Sequence, residues 1–309
     1  MTSVGAILIM RDFSTKPVPI DWTEGRFDGS EVFSIVIPTW NNLEFLKLCV
    51  RSIRQNSAFG HQIVLHVNDG SDGTLDWARR EGLSFSHSPQ NVGICLALNA
   101  ARALVRTDYF LYMNDDMYVC PDWDSALKEE IEAAGTKYFF LSATMIEPHP
   151  TGSLPVIGAK HFGTSVESFE ESRLLKEFRD FPKPDWSGAT RPPNVVHKDV
   201  WDLVGGYSLE LSPGLYSDPD FSMKLWQAGV RYFKGVGRSR VYHFVSKSLG
   251  RIEPNPGRKQ FLAKWRLAPS TFYRFFLKKG QPFEGPLKEP VIEGKLRRRL
   301  LQDAVARFF

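Results

Sequence analysis

Long apolar runs are missing from this 309-residue chain. None approaches the roughly 18–20 residues needed to cross a bilayer. The longest near the start, Val4 to Met10, is too short for a span and has no basic stretch before it, so no secretory leader is expected. Cysteine is scarce: Cys49, Cys95 and Cys120 are widely spaced, set among apolar residues and odd in number. That pattern excludes a disulfide framework and a zinc-thiolate site, and predicts buried free thiols in the reducing cytoplasm. Internal repeats and low-complexity tracts are also absent. What remains, 42% hydrophobic and 24% charged residues, is an ordinary globular composition. The length allows one large core or two modest ones.

Net charge is small, +4, but unevenly spread. Residues 251–309 hold 14 Lys and Arg against 5 Asp and Glu, a local excess of +9, which leaves the rest of the chain at −5. An acidic body with a basic tail points to a negatively charged surface or acceptor near that tail.

The pattern predicts strands alternating with helices. Val32 to Ile37 is a mainly apolar run rich in β-branched residues and halted by Pro38, as in a strand buried on both faces. Leu46, Cys49, Val50 and Ile53 then recur at helical spacing. Ile63–Val67 and Tyr109–Met113 read as further buried strands, with shorter ones at Leu83–Phe85 and Tyr138–Leu141. Ile94 to Val105 and Trp123 to Ile131 read as helices. This alternation predicts an α/β fold with a single, mostly parallel, Rossmann-like sheet flanked by helices. Residues 147–194 lose the rhythm and read as a long loop, either functional or disordered. Helices return at Lys198–Val204 and Phe221–Ala228, and short strands at Val230–Phe233 and Arg240–Tyr242. The expected organisation is an arm over 1–31, a main domain over 32–250 and a basic, helical C-terminal extension over 251–309.

Three strands end in polar clusters: Thr39-Trp40-Asn41-Asn42, Asn68-Asp69-Gly70-Ser71-Asp72 and Asn114-Asp115-Asp116. Each alone reads as a turn. Parallel strands bring all three to one sheet edge, where ligands of open α/β folds bind. An Asp at a strand end accepts from a nucleobase ring N–H. The adjacent carboxylates Asp115 and Asp116 would repel a diphosphate unless a divalent cation lies between. Mg²⁺ or Mn²⁺ suits that arrangement, taking one or two carboxylates and completing its shell with phosphate oxygens and water.

These motifs, with Asn91-Val92-Gly93, Asn99, Val204-Gly205-Gly206-Tyr207 and Ser217-Asp218-Pro219-Asp220-Phe221, resemble the family 2 glycosyltransferases of GT-A fold over about residues 32–250. The resemblance implies an inverting, metal-dependent transferase. It would move a sugar from a nucleotide-diphosphate donor, UDP- or dTDP-sugar favoured, to a hydroxyl of a glycan or glycolipid in cell-surface polysaccharide synthesis. Residues 32–120 would bind the nucleotide and 121–250 the acceptor. By the same resemblance Thr39 and Asp69 contact the nucleoside, with Pro38, Asn41, Asn91, Gly93 and Asn114 around the donor. Asp115 lies near the ribose and sugar, and Asp116 holds the Mn²⁺ or Mg²⁺. Two departures stand out: Asn114 replaces the usual first Asp of the metal motif, and Ser217 replaces the Glu before Asp218.

Inversion needs a base in reach of the acceptor hydroxyl. Asp218 matches the family's base position. Asp220, two residues on, has two readings: an acceptor contact, or the cap of a helix beginning near Phe221. His243 lies where related members complete the metal site or bind diphosphate, with Lys247 and Ser248 expected near phosphate. Trp186 and Arg191 stand where the family presents residues to acceptor or donor sugar, although packing is an equal reading for the indole. In the tail, Leu296, Leu300, Leu301, Val305 and Phe308 share a helical face beside Arg297–Arg299. That helix, and the aromatic cluster Phe272–Phe276, serves either peripheral contact with the inner membrane face or packing on the body.

Two other classes were weighed. A sugar-phosphate nucleotidyltransferase carries a Gly-rich basic loop after its first strand, and Pro38-Thr39-Trp40-Asn41 holds neither Gly nor Lys. A non-catalytic scaffold has no need of Asp69, Asp116, Asp218 and His243 together. No module that reads nucleic-acid bases is present.

Overall fold

A computed structural model describes residues 18–246 and 255–307. In chain order it runs β1 (Asp21–Thr23), β2 (Phe33–Trp40), α1 (Leu43–Asn56), β3 (Gln62–Asn68), α2 (Thr74–Arg80), β4 (Ser84–Ser88), α3 (Gly93–Ala101) and β5 (Tyr109–Tyr112). Then come β6 (Met117–Val119), α4 (Trp123–Ala134), β7 (Phe139–Ile146), α5 (Glu171–Glu177), β8 (Trp186–Ser187), β9 (Asn194–His197), α6 (Lys198–Val204), α7 (Ser217–Gln227) and β10 (Tyr232–His243). The tail adds α8 (Gly257–Trp265), a single turn α9 (Pro269–Thr271), a π-turn over Phe272–Phe276, and α10 (Gly294–Ala306).

All strands join one sheet in the order β1-β4-β3-β2-β5-β9-β7-β10-β6, with β8 also on β10. The block β4-β3-β2-β5 is parallel, as the alternating pattern predicts. Beyond it the sheet is mixed rather than mostly parallel. Asn194–His197, at the end of the irregular region, inserts antiparallel between β5 and β7. β6 is a short antiparallel edge strand on β10. A strand of three or four residues reached through a long irregular connection carries too little periodicity to announce itself.

β2 also runs past Pro38 to Trp40. Its ladder to β5 ends at Val36 while the ladder to β3 continues to Trp40, so the missing N–H of Pro38 leaves no β5-side bond unmade. Of the expected strand Val230–Phe233 only Tyr232 and Phe233 are extended, and they share a single strand, β10, with Arg240–Tyr242, with an irregularity between Val236 and Arg240.

Two apolar clusters cover the sheet faces. One packs Leu46, Val50, Ile53, Trp77, Trp123 and Leu127 from α1, α2 and α4 against β2, β3 and β7. The other packs Leu98, Trp201, Phe221 and Trp226 from α3, α6 and α7, together with Phe261, Phe272, Leu277 and Leu287 of the tail. The tail's aromatic cluster is therefore seated in the core through Phe272. α10 divides its apolar residues: Leu296 is buried, whereas Leu301 and Val305 are exposed. Lys247, Ser248 and Phe308 lie outside the described residues. All three cysteines are buried and form no disulfide.

Candidate active site

The carboxyl ends of β2, β5 and β7 meet the first turn of α7 and the end of β10 around a cleft of about 520 Å³. Asp115 and Asp116 enter it from the turn between β5 and β6, and both are almost fully buried. Asp115 Oδ2 accepts a 2.7 Å bond from the Thr39 hydroxyl at the end of β2, which fixes one carboxylate across the strand ends. Asp116 Oδ2 accepts from the Ser246 amide at 2.8 Å, and its Oδ1 lies 3.4 Å from His243 Nε2. The other imidazole nitrogen, Nδ1, is 2.9 Å from Glu147 Oε1, just past the end of β7.

His243 thus bridges two carboxylates. Burial works against its charged form, yet Asp116 and Glu147 raise its pKa to about 9. Burial likewise opposes ionisation of Asp116, but His243 and the Ser246 amide outweigh it and hold this carboxyl below its usual range. Among the described residues no group of three or more His, Cys, Asp or Glu side chains is arranged as a closed metal cage. Asp116 and His243 nevertheless form an adjacent oxygen–nitrogen donor pair. That set suits a divalent cation whose remaining positions are taken by substrate phosphate and water.

Asp218 lines the same cleft from the first turn of α7. Burial raises its pKa to about 6, against the opposing effects of Arg191, Lys279 and the Tyr207 hydroxyl, which donates to Oδ1 at 3.3 Å. A carboxylate poised there is matched to accepting a proton near neutral pH. Lys279, from the tail, is lowered to about 7 by burial and by Arg191, partly offset by Asp218.

The loop that carries Asp218 is anchored at both ends. Asn99 on α3 donates to the Tyr207 carbonyl at 2.7 Å and accepts from its amide at 2.8 Å. Gly206 beside it has φ +59°, and a Cβ there would fall 2.3 Å from Asn99 Oδ1. Farther along, the Ile94 amide donates to the Pro213 carbonyl at 2.8 Å.

A family model described as glycosyl transferase family 2 matches residues 34–186. That stretch of the chain, just under half of it, belongs to the family. Its solved structural neighbours share the fold at low identity. S. aureus TarS superposes with a TM-score of 0.55 at 13% identity, over 90% of this chain and 43% of that one. TarS 1-349 in complex with UDP-GlcNAc gives 0.52 at 14%, over 75% and 66%. GalNAc-T7 with UDP, GalNAc and Mn²⁺ gives 0.55 at 15%, over 80% and 50%. A curated relative from Sinorhizobium fredii, described as uncharacterized protein y4gI, is 24% identical over 79% of this chain. The chain spans only 28% of that relative's length.

The cleft wall includes Pro38, Thr39, Asn91, Gly93, Asn114, Asp115 and Asp116 from the matched stretch, and Arg191, Asp218 and His243 from beyond it. Asn41 and Asp69 sit beside it rather than on it. Both have left-handed backbone, and Asn41 Nδ2 donates to Asp69 Oδ2 at 2.8 Å. Two expected acceptor contacts do not reach the wall. Trp186 is 4% exposed, with its indole N–H given to Thr144 Oγ1 at 3.0 Å. Asp220 is fully buried and takes bonds from Ser208 (2.6 Å) and Trp265 (2.7 Å), with Lys264 at 2.9 Å. Nor does Asp220 cap its helix, because α7 begins at Ser217. Two members of the arrangement had no motif to mark them. Glu147 opens the irregular region and Lys279 lies in the tail, so only the folded chain brings Glu147 to the cleft and the Lys279 charge near Asp218.

Proposed function

We propose that this protein is an inverting, metal-dependent glycosyltransferase. It takes a nucleoside-diphosphate sugar, UDP- or dTDP-linked, and transfers the sugar to a hydroxyl of a glycan or glycolipid acceptor in cell-surface polysaccharide synthesis. The observation that carries this reading is the position of Asp218. A carboxylate with a pKa of about 6 lines the same cleft as the carboxylate pair Asp115–Asp116 at the strand ends. The complexes of TarS with UDP-GlcNAc and of GalNAc-T7 with UDP and Mn²⁺ support the same class of donor.

In this reading Thr39, Asn41 and Asp69 hold the nucleoside end, with Pro38, Asn91, Gly93 and Asn114 around it. Asp115, oriented by the Thr39 hydroxyl, faces the ribose and donor sugar. Asp116 and His243 hold Mg²⁺ or Mn²⁺, which when bound neutralises the departing diphosphate. Asp218 accepts the proton of the acceptor hydroxyl as that oxygen attacks the anomeric carbon opposite the leaving group. Tyr207 orients the Asp218 carboxylate, and Arg191 supplies positive charge beside it.

The test is release of nucleoside diphosphate from a panel of UDP- and dTDP-sugars with and without Mn²⁺, followed by NMR of the glycosyl product. The expected product has the anomeric configuration opposite to the donor. Retention of configuration, or turnover undiminished in Asp218→Asn, contradicts the assignment.

A further inference from the structure

A second cavity, of about 280 Å³, lies between the α9/π-turn segment and α10. Arg274, Lys295, Arg298 and Arg299 all line it, together with the hydroxyl-bearing Ser270 and Thr271, and no carboxylate does. Asp303, the acid paired with Arg299, is buried and already engaged, accepting from the Ala268 amide at 2.9 Å and the Thr271 hydroxyl at 2.5 Å. It lies 3.7 Å from Arg299 Nε, so it offsets only one of the four cations. Among the described residues Arg274, Lys295 and Arg298 have no ion pair.

Four like charges around one small cavity repel one another, and an anion with several acceptor oxygens relieves that repulsion. A phosphate has this chemistry. The surroundings choose its source. Leu301 and Val305, on the outward face of α10 next to Arg298, are 63% and 60% exposed. Val291 and Ile292, just before the helix, are 73% and 59% exposed. A free phosphate or nucleotide has no use for such an apolar fringe. A lipid presents both parts together: a phosphate at the headgroup and apolar matter directly beneath. No helix among the described residues is long and apolar enough to cross a membrane, so the contact is with the surface.

We propose that this cavity binds the phosphate of an anionic lipid headgroup, with Leu301 and Val305 entering the bilayer interface beside it. The site is separate from the cleft and does not depend on the donor or acceptor proposed above. Selectivity comes from charge number. A zwitterionic surface offers no net attraction, whereas each cation near an anionic surface multiplies partitioning by about fivefold.

The experiment is co-sedimentation of the full chain with vesicles of phosphatidylcholine alone or mixed with phosphatidylglycerol. Wild type is expected to bind the mixed vesicles and not the pure ones. Arg274→Gln/Arg298→Gln, two exposed positions without ion pairs among the described residues, is expected to lower partitioning on the order of 25-fold. Leu301→Ser/Val305→Ser is expected to weaken binding as well. Melting temperatures of both variants near wild type would show that they are folded. Equal binding to pure phosphatidylcholine, or undiminished binding by the Arg274/Arg298 variant, overturns the proposal. So does a melting temperature raised by inorganic phosphate in wild type only, without vesicle binding, since that outcome assigns the cavity to a free anion.

Discussion

Nδ1 of His243 lies 2.9 Å from Glu147 Oε1 while Nε2 faces Asp116 at 3.4 Å, so one imidazole is held between two carboxylates from different strand ends. A carboxylate on the far nitrogen fixes the ring's orientation and makes the near one a better donor. Glu147→Gln is therefore expected to weaken the stabilisation by Mn²⁺ in the presence of nucleotide by about 10- to 100-fold in apparent affinity. Melting temperature followed against Mn²⁺ concentration checks it, and an unchanged midpoint would remove Glu147 from the site.

Asp218 gives a pH signature. A base with a pKa of about 6 is increasingly competent as pH rises, so kcat/KM is expected to climb with pH and level off above about 6. Asp218→Asn should lower kcat by about 10²–10⁴-fold. The same shift has the opposite sign for stability. The folded carboxyl, at about 6 against an ordinary 3.8, holds its proton more tightly than the unfolded chain does. Stability thus falls as pH rises from about 4 to about 6, a loss of about 3 kcal/mol that persists above that range. Urea unfolding of Asp218→Asn at pH 7.5 (roughly 1.5 units above the native-state pKa) is expected to show a more stable, inactive protein.

The Asn99–Tyr207 clasp holds the base's loop to α3. Gly206→Ala forces a Cβ to within 2.3 Å of Asn99 Oδ1 on backbone already at φ +59°. It is expected to destabilise the fold by about 2–4 kcal/mol and to lower kcat more than it raises KM. Denaturant midpoints and steady-state kinetics check both parts.

Trp186 and Asp220 are expected to behave as structural residues. Asp220→Ala leaves Lys264, Trp265 and Ser208 without their buried acceptor and should cost about 3–5 kcal/mol. Trp186→Phe removes one buried hydrogen bond to Thr144, about 1–2 kcal/mol, and should leave acceptor KM unchanged. A raised acceptor KM at normal stability would return Trp186 to the acceptor site.

Local pattern and tertiary assembly carry different parts of this site. The parallel block β4-β3-β2-β5 and its polar strand ends were legible because long buried strands and Asn/Asp/Gly clusters write their own pattern. So were the residues of the cleft that sit on those ends, Thr39 and Asp115 among them. β9 was not, because four residues entering antiparallel after a long irregular stretch carry no period. Glu147 and Lys279 were missed for a related reason. A lone acid opening a loop and a lysine in a basic tail look solvated until β7 delivers the first to the cleft and the tail brings the second near Asp218. For Trp186 and Asp220 position within a motif left two readings open, sugar contact or a structural role, and the fold buries both side chains in packing and hydrogen bonds.

The most direct measurement of the central claim is thermal stability of wild type, Asp116→Ala and Asp218→Asn against UDP and dTDP, each with and without Mn²⁺. A ligand that binds only the folded state raises the melting temperature according to its concentration over its Kd. The account predicts a metal-dependent rise with UDP or dTDP in wild type and Asp218→Asn, and its loss in Asp116→Ala. No response in wild type to either nucleotide under any metal condition, or an undiminished response in Asp116→Ala, would contradict it.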